Sequence, residues 1–180
     1  MYDSARYLSP IGELTLACDG AGRLVGLWLA GQKYFPSTLP VVSGSHGAAP
    51  IFAQTKDWLD RYFAGGRPSP GELPLAPAGS AFRQAVWKLL LDIPYGEVTT
   101  YGAIARAIAE QQGRRTMSGQ AVGGAVGHNP ISIIIPCHRV AGSGGSLTGY
   151  AGGLDKKIWL LTHEGADMTG LFRPKRGSVG

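Results

Sequence analysis

The sequence predicts two small domains in succession: an α/β domain with an antiparallel sheet and a helix over residues 1–76, then a mainly α domain with a helix-turn-helix over residues 77–180. Three observations predict it. Segments rich in Leu, Val and Trp flank Asp19-Gly20-Ala21-Gly22 and read as strands joined by a turn. Beyond residue 50 the apolar side chains recur at helical spacing. A Pro/Gly-rich stretch, residues 65–79, interrupts that pattern and marks a boundary.

The strands span Glu13 to Cys18 and Arg23 to Ala30, and residues 36–50 have loop composition. From Ile51 to Phe63 a helix places Ile51, Phe52, Thr55, Trp58, Leu59, Tyr62 and Phe63 on one face. Ser80 can cap a second helix with Phe82, Val86, Leu89, Leu90 and Ile93 inward, and Pro94-Tyr95-Gly96 stops it. Thr99 or Thr100 can cap a third, Tyr101 to Ala109, that buries Ile104 and Ile108. A polar connection, Glu110 to Ser118, carries Arg114 and Arg115 into a helix over Gln120 to Gly127. Two short helices joined by a polar turn fit a helix-turn-helix. Ile131 to Pro136 has the pattern of a short buried strand, and the last helix ends in His163-Glu164-Gly165.

Composition narrows the class. With 28 glycines in 180 residues the chain is about twofold enriched over ordinary usage. However, 44% hydrophobic residues is ample for a core, and the absence of a Gly-X-Y period excludes a collagen or linker. No secretory leader is visible, and the apolar runs fall short of the roughly 18 residues that span a bilayer, so a cytoplasmic protein with no membrane association is expected. Cys18 and Cys137 are too few for a zinc site or a disulfide framework and are expected as reduced thiols, Cys18 as a core residue. The net charge of +5 lies entirely beyond residue 76, since the first 76 residues carry six basic and six acidic side chains. A basic second half faces either a polyanion or simply water.

Gly123 and Gly124 sit in mid-helix, where each costs about 0.5–1 kcal/mol relative to Ala. The body of that helix is Ala, Val and Gly, so its surface is bare. Bareness serves close approach, either of a neighbouring helix or of nucleic acid. Further on, Pro136 fixes the backbone before Cys137, and His138 and Arg139 could favour a thiolate there. A Cys beside a His is by itself more often an inert buried thiol than a nucleophile. Lys156 and Lys157 could aid DNA binding or thiolate formation, with solvated surface lysines as the default.

The full string is more specific. Asn129-Pro130, then Ile135-Pro-Cys-His-Arg-Val140, then Gly149-Tyr150-Ala-Gly-Gly-Leu154, then His163-Glu164-Gly165 closely resembles the O6-alkylguanine-DNA alkyltransferases, the methylated-DNA–protein-cysteine methyltransferases. The resemblance spans residues 79–168, and the first half matches only in general character. It implies an RNase H-like N-terminal domain and a single-turnover transfer of the alkyl group from O6-alkylguanine, and also from O4-methylthymine, in double-stranded DNA to Cys137. His138 matches the general base acting through a water, Glu164 the carboxylate that orients it, and Asn129 the amide supporting that network. Tyr150 matches the proton donor to O6. The Ala151 backbone and the Val140 carbonyl match contacts to the flipped base, and Ser132 bears on pocket width. No cofactor or metal is implied, and a monomer is expected.

The same resemblance implies that the second helix, with Ala121, Gly123 and Gly124, enters the minor groove, and that Tyr101 crowds the target phosphate to promote flipping. The sequence departs from the family at Gln120, where an intercalating arginine is usual. Gln120 can wedge without charge, Arg114 or Arg115 can supply the charge, or the finger is simply poor. Two rival functions remain: a lesion sensor, which would lack the acceptor cysteine, and a thiol hydrolase, which would turn over repeatedly.

Overall fold

The N-terminal strands form an antiparallel sheet because three short segments are joined by tight turns. The computed structural model describes residues 2–34 and 49–175. Strands β1 (Tyr2–Ser9), β2 (Gly12–Asp19) and β3 (Leu24–Leu29) lie in that order, with Tyr2 opposite Asp19 and Leu14 opposite Leu29. The Asp19 carboxylate closes the β2–β3 turn by accepting from the Ala21 and Arg23 amides. β1 is absent from the sequence expectation. It is a polar edge strand in which only Ala5 is buried, so it carries almost no apolar alternation to read.

Helix α1 (Pro50–Phe63) packs on this sheet with Ile51, Phe52, Thr55, Trp58, Leu59 and Tyr62 buried, as its periodicity predicts; Phe63 is only partly covered. Most of the loop-like stretch 36–50 lies outside the described residues. Four helices follow: α2 (Ala81–Leu91), α3 (Tyr101–Gln111), α4 (Gly119–Gly127) and α5 (Leu154–His163). Ser80, Thr100 and Ser118 cap α2, α3 and α4 by accepting from the Arg83, Ala103 and Ala121 amides. Trp87, missing from the sequence-derived face of α2, is buried, and its indole N–H donates to the Ala125 carbonyl on α4 at 2.8 Å.

The two halves share one continuous core, from Leu14 and Leu27 through Trp58 to Val86, Ile108 and Ile135. The seam is backbone pairing on the free edge of β3. The Leu27 amide donates to the Pro130 carbonyl at 2.8 Å, and the Ser132 amide donates to the Leu27 carbonyl at 2.9 Å. A short parallel pair, β4 (Thr99–Thr100) with β5 (Val140–Ala141), ties the start of α3 to the segment after Cys137.

Ile131 to Pro136 is not a strand. Beyond its single bridge to Leu27 the chain turns on itself, with Ile133 at φ 71° and bonds from the Ile134 amide to Ser132 O and from the Ile135 amide to Ile131 O. A fully buried apolar run does not reveal its backbone by periodicity. A β-branched residue at positive φ is strained, and here surrounding bonds enforce it. Asn129 supplies them, donating to the Ile135 carbonyl at 2.8 Å and accepting from the Ile131 amide at 3.0 Å.

No helix among the described residues is long and apolar enough to cross a membrane. Trp87→Ala, which empties the α2–α4 contact and orphans the Ala125 carbonyl, is expected to cost about 3–5 kcal/mol, read as a shift in the urea midpoint. Leu91→Ala, on the exposed side of the same helix, should stay within about 0.5 kcal/mol.

Candidate acceptor-cysteine site

Residues Cys137–Arg139 form one turn of 3₁₀ helix, so three successive side chains leave the backbone in three directions. Cys137 is an unpaired, buried thiol. His138 is fully buried, and its Nε2 lies 2.6 Å from Glu164 Oε2. Arg139 does not serve the thiol as the sequence suggested. It turns to Glu164, donating from Nε at 2.7 Å and from Nη2 at 3.1 Å, and from Nη1 to the Ile93 carbonyl. Glu164 caps α5 and accepts two further bonds, from the Tyr62 hydroxyl at 2.7 Å and from the Gly96 amide at 3.3 Å.

Burial alone would raise the Glu164 carboxyl, but the hydrogen bonds from His138 and Arg139 and the Arg139 charge hold it well below the usual carboxylate range. A carboxylate that is ionised can only accept, so His138 Nε2 carries the proton and Nδ1 is the bare nitrogen. That Nδ1 is buried and has no protein partner. Burial also pushes the imidazole below its ordinary value against the pull of Glu164, leaving it neutral and able to take a proton.

The positive charge beside the thiol comes from Lys157, and the surface default for this residue is wrong. Its side chain is fully buried, with Nζ donating to the Val140 carbonyl and, at 3.1 Å, to the Thr148 carbonyl. Burial lowers its pKa to about 8, and the charge of Cys137 opposes that fall. Burial raises the Cys137 thiol, while hydrogen bonding from Asn129 and the Lys157 charge favour the thiolate. Lys156 lies partly exposed and bonds the Ala30 carbonyl at 2.9 Å. Helical spacing separates these adjacent lysines by about 100°, enough to send one inward.

Tyr150 places a buried hydroxyl with no protein partner near this cluster, and burial followed by the charges of Cys137 and Glu164 raises its pKa well above the ordinary value. Gly152 permits its placement, since a Cβ there would sit 2.4 Å from Leu29 Cδ1 and 2.9 Å from the Tyr150 ring. Tyr150 and Ala151 line a cleft of about 370 Å³ together with Gly123, Gly124, Gly127, His128 and Gly149. Two lining residues escaped sequence reading: Lys33 and Tyr34 come from the N-terminal half, where the Lys33 amide bonds Ala151 O and the Tyr34 ring stacks on His128 at 3.8 Å. No local motif announces them, because the contact exists only across the seam.

Other expected site residues lie at varied depths. Ser132 is buried and donates to Gln32 at 3.0 Å, so it faces the N-terminal sheet. Tyr101 is half-buried, its hydroxyl donating inward to Thr148 O at 3.0 Å, and burial and Cys137 raise it to about 12. Arg114, Arg115, Gln120, Ala121 and Gly124 are exposed, and Gly123 is partly so. A Cβ at Gly123 or Gly124 would meet nothing within 4 Å, which removes tight internal packing as the reason for these glycines. Among the described residues no group of three or more His, Cys, Asp or Glu is placed to hold a metal.

Glu164→Gln leaves Arg139 without its counter-charge and is expected to cost about 3–5 kcal/mol in urea unfolding. Because the folded carboxyl titrates below the unfolded one, the native contribution is complete above roughly pH 4.3 and is lost as pH falls further. The variant should therefore show a flatter stability curve below about pH 4 than the native chain.

Residues 81–166 match the DNA binding domain of 6-O-methylguanine DNA methyltransferase, and residues 4–77 match its ribonuclease-like domain. The chain is 40% identical over 158 residues to the methylated-DNA–protein-cysteine methyltransferase of Haemophilus influenzae, covering 88% of this chain and 83% of that one. It is 46% identical over 156 residues to that of Mycobacterium tuberculosis, covering 87% and 88%. The crystal structure of Mycobacterium tuberculosis OGT in complex with DNA superposes with a TM-score of 0.75 at 41% identity, over 90% of this chain and 92% of that one. With both halves matched and relatives this similar along most of their length, the chain belongs to the 6-O-methylguanine DNA methyltransferase family.

Proposed function

We propose that this chain repairs DNA by direct reversal, taking the alkyl group from O6-alkylguanine in duplex DNA onto Cys137. The observation that carries the reading is the buried Cys137 beside the Lys157 ammonium and the His138–Glu164 pair, in a chain of this family. The thiol proton passes to His138 Nδ1 through a water. The thiolate then attacks the alkyl carbon, a C–S bond forms as the C–O6 bond breaks, and the electron pair goes to the departing guanine. The Tyr150 hydroxyl meets O6 as that charge develops. The product is a thioether with no leaving group for a second cycle, so each molecule reacts once. A thiol hydrolase would turn over repeatedly, and a lesion sensor would have no use for an activated thiol.

A lesion inside the duplex must leave the stack before a buried thiol can reach it, at a cost of a few kcal/mol. We read α3 and α4 as a helix-turn-helix, the ribonuclease-like half as residues 1–76 and the acceptor half as residues 77–180. The open surface at Gly123 and Gly124 favours direct approach of the minor groove to α4, with Ala121 beside it. Gln120 wedges into the space left by the flipped nucleotide, or Arg114 or Arg115 on the connection supplies the charge there. Tyr101, at the start of α3, crowds the phosphate of the target nucleotide and promotes its flipping. Ala151 and the second lone pair of the Val140 carbonyl contact the base, and Ser132 acts from behind the pocket. All these groups belong to one chain, so the reaction needs a monomer only, working on DNA in the cytoplasm.

Incubation with duplex containing O6-methylguanine should leave one methyl group on the Cys137 peptide by mass spectrometry, at a stoichiometry of one, and Cys137→Ser should abolish transfer while still binding DNA. An unmodified Cys137 peptide would sink the reading. Gly124→Ala should stabilise the fold by about 0.5–1 kcal/mol, since its methyl enters open space. Gly124→Leu should weaken duplex binding by roughly tenfold at fixed salt, about 1.4 kcal/mol, as measured by fluorescence anisotropy.

A further inference from the structure

The Tyr62–Glu164 bond joins residues 102 positions apart, one on α1 of the N-terminal half and one at the end of α5. We infer that Tyr62 is a positioning residue of the acceptor site: its hydroxyl sets how strongly Glu164 draws on His138, so the N-terminal half is a working part of the acceptor machinery. The inference rests on Cys137 being the alkyl acceptor and His138 its base.

The geometry is specific. Glu164 Oε2 accepts from Tyr62, from His138 Nε2 and from Arg139 Nη2, so the tyrosine shares one oxygen with the histidine. Donors on a shared oxygen compete for the same charge. Each one that disperses it weakens the attraction that would make His138 an imidazolium. The Tyr62 ring has no freedom to leave. It is buried, stacks on Trp58 at 5.6 Å, meets Tyr95 edge-on at 6.1 Å and lies 5.3 Å from the His163 ring. Its own proton is secure, since burial and then the Glu164 charge raise the phenol far above its ordinary value.

The titratable and charged groups facing this pair are few. Tyr62 and Tyr95 face Glu164 from α1 and from the segment after α2, Tyr150 from the segment before α5, and Arg139 from the 3₁₀ turn. Lys157 on α5 and Arg139 both act on His138. Of these only Tyr62 is a neutral donor on the oxygen that holds His138, so its hydroxyl can be removed without adding or deleting a formal charge. A tyrosine serving only to fill the core would be replaced by phenylalanine with no effect on protonation.

The test is Tyr62→Phe in the full chain, followed by the pH titration of the His138 ring by NMR and the single-turnover rate of methyl transfer against pH. Without the hydroxyl, Glu164 holds more charge toward His138, so the imidazole pKa rises and the acid limb of the rate profile moves up with it. A rise of about half to one unit makes transfer roughly threefold to tenfold slower below the midpoint of that limb, with rates converging at high pH. A 3-fluorotyrosine at position 62, a stronger donor, should move the titration the other way. An unchanged His138 titration in both variants, whatever happens to the melting temperature, overturns the inference. Loss of methyl transfer by the native chain would instead overturn the functional reading, and the NMR titration would still report on Tyr62.

Discussion

A carboxylate taken out of water costs several kcal/mol unless donors surround it, and Glu164 is surrounded by five of them. They come from α1, from the turn after α2 and from the two residues that follow Cys137. The Glu164 charge keeps Arg139 satisfied, fixes the His138 tautomer and gives the N-terminal helix a polar anchor in the second half. The seam between the halves is thus held by the Tyr62–Glu164 hydrogen bond and by backbone pairing along β3, with shared apolar contacts around both.

Around this anchor the thiol is buried and charged partners are kept close. Desolvation works against a thiolate, and the fold answers with a buried lysine and a hydrogen bond from Asn129. The same Asn129 holds Ile133 in its strained conformation, so the turn that delivers Cys137 and the amide that favours its thiolate are one device. The Lys157 ammonium has a second duty, since it also straps the Val140 and Thr148 carbonyls together behind the pocket.

The glycines divide by physical purpose. Gly152 has no room for a side chain, because Leu29 and Tyr150 fill the space. Gly123 and Gly124 have room and do not use it, which sacrifices helix stability on an exposed face.

Local patterns in the sequence establish the helices, the cap at Ser80, Thr99 or Thr100 as the cap of α3, and the string that groups Cys137, His138 and Glu164 as one constellation. These rest on local rules: spacing, capping side chains and a specific string. The sequence did not determine β1, because an edge strand with one buried residue has no readable pattern. It misread Ile131 to Pro136 as extended, because uniform burial hides the backbone. Tertiary structure alone decided that Lys157 points inward, that Arg139 serves Glu164 instead of the thiol, and that Tyr62, Lys33 and Tyr34 reach the site from the other half. Each of these depends on which groups meet across the seam, and the electrostatic energy of a buried charge is set by neighbours in space, which lie up to 102 positions away along the chain.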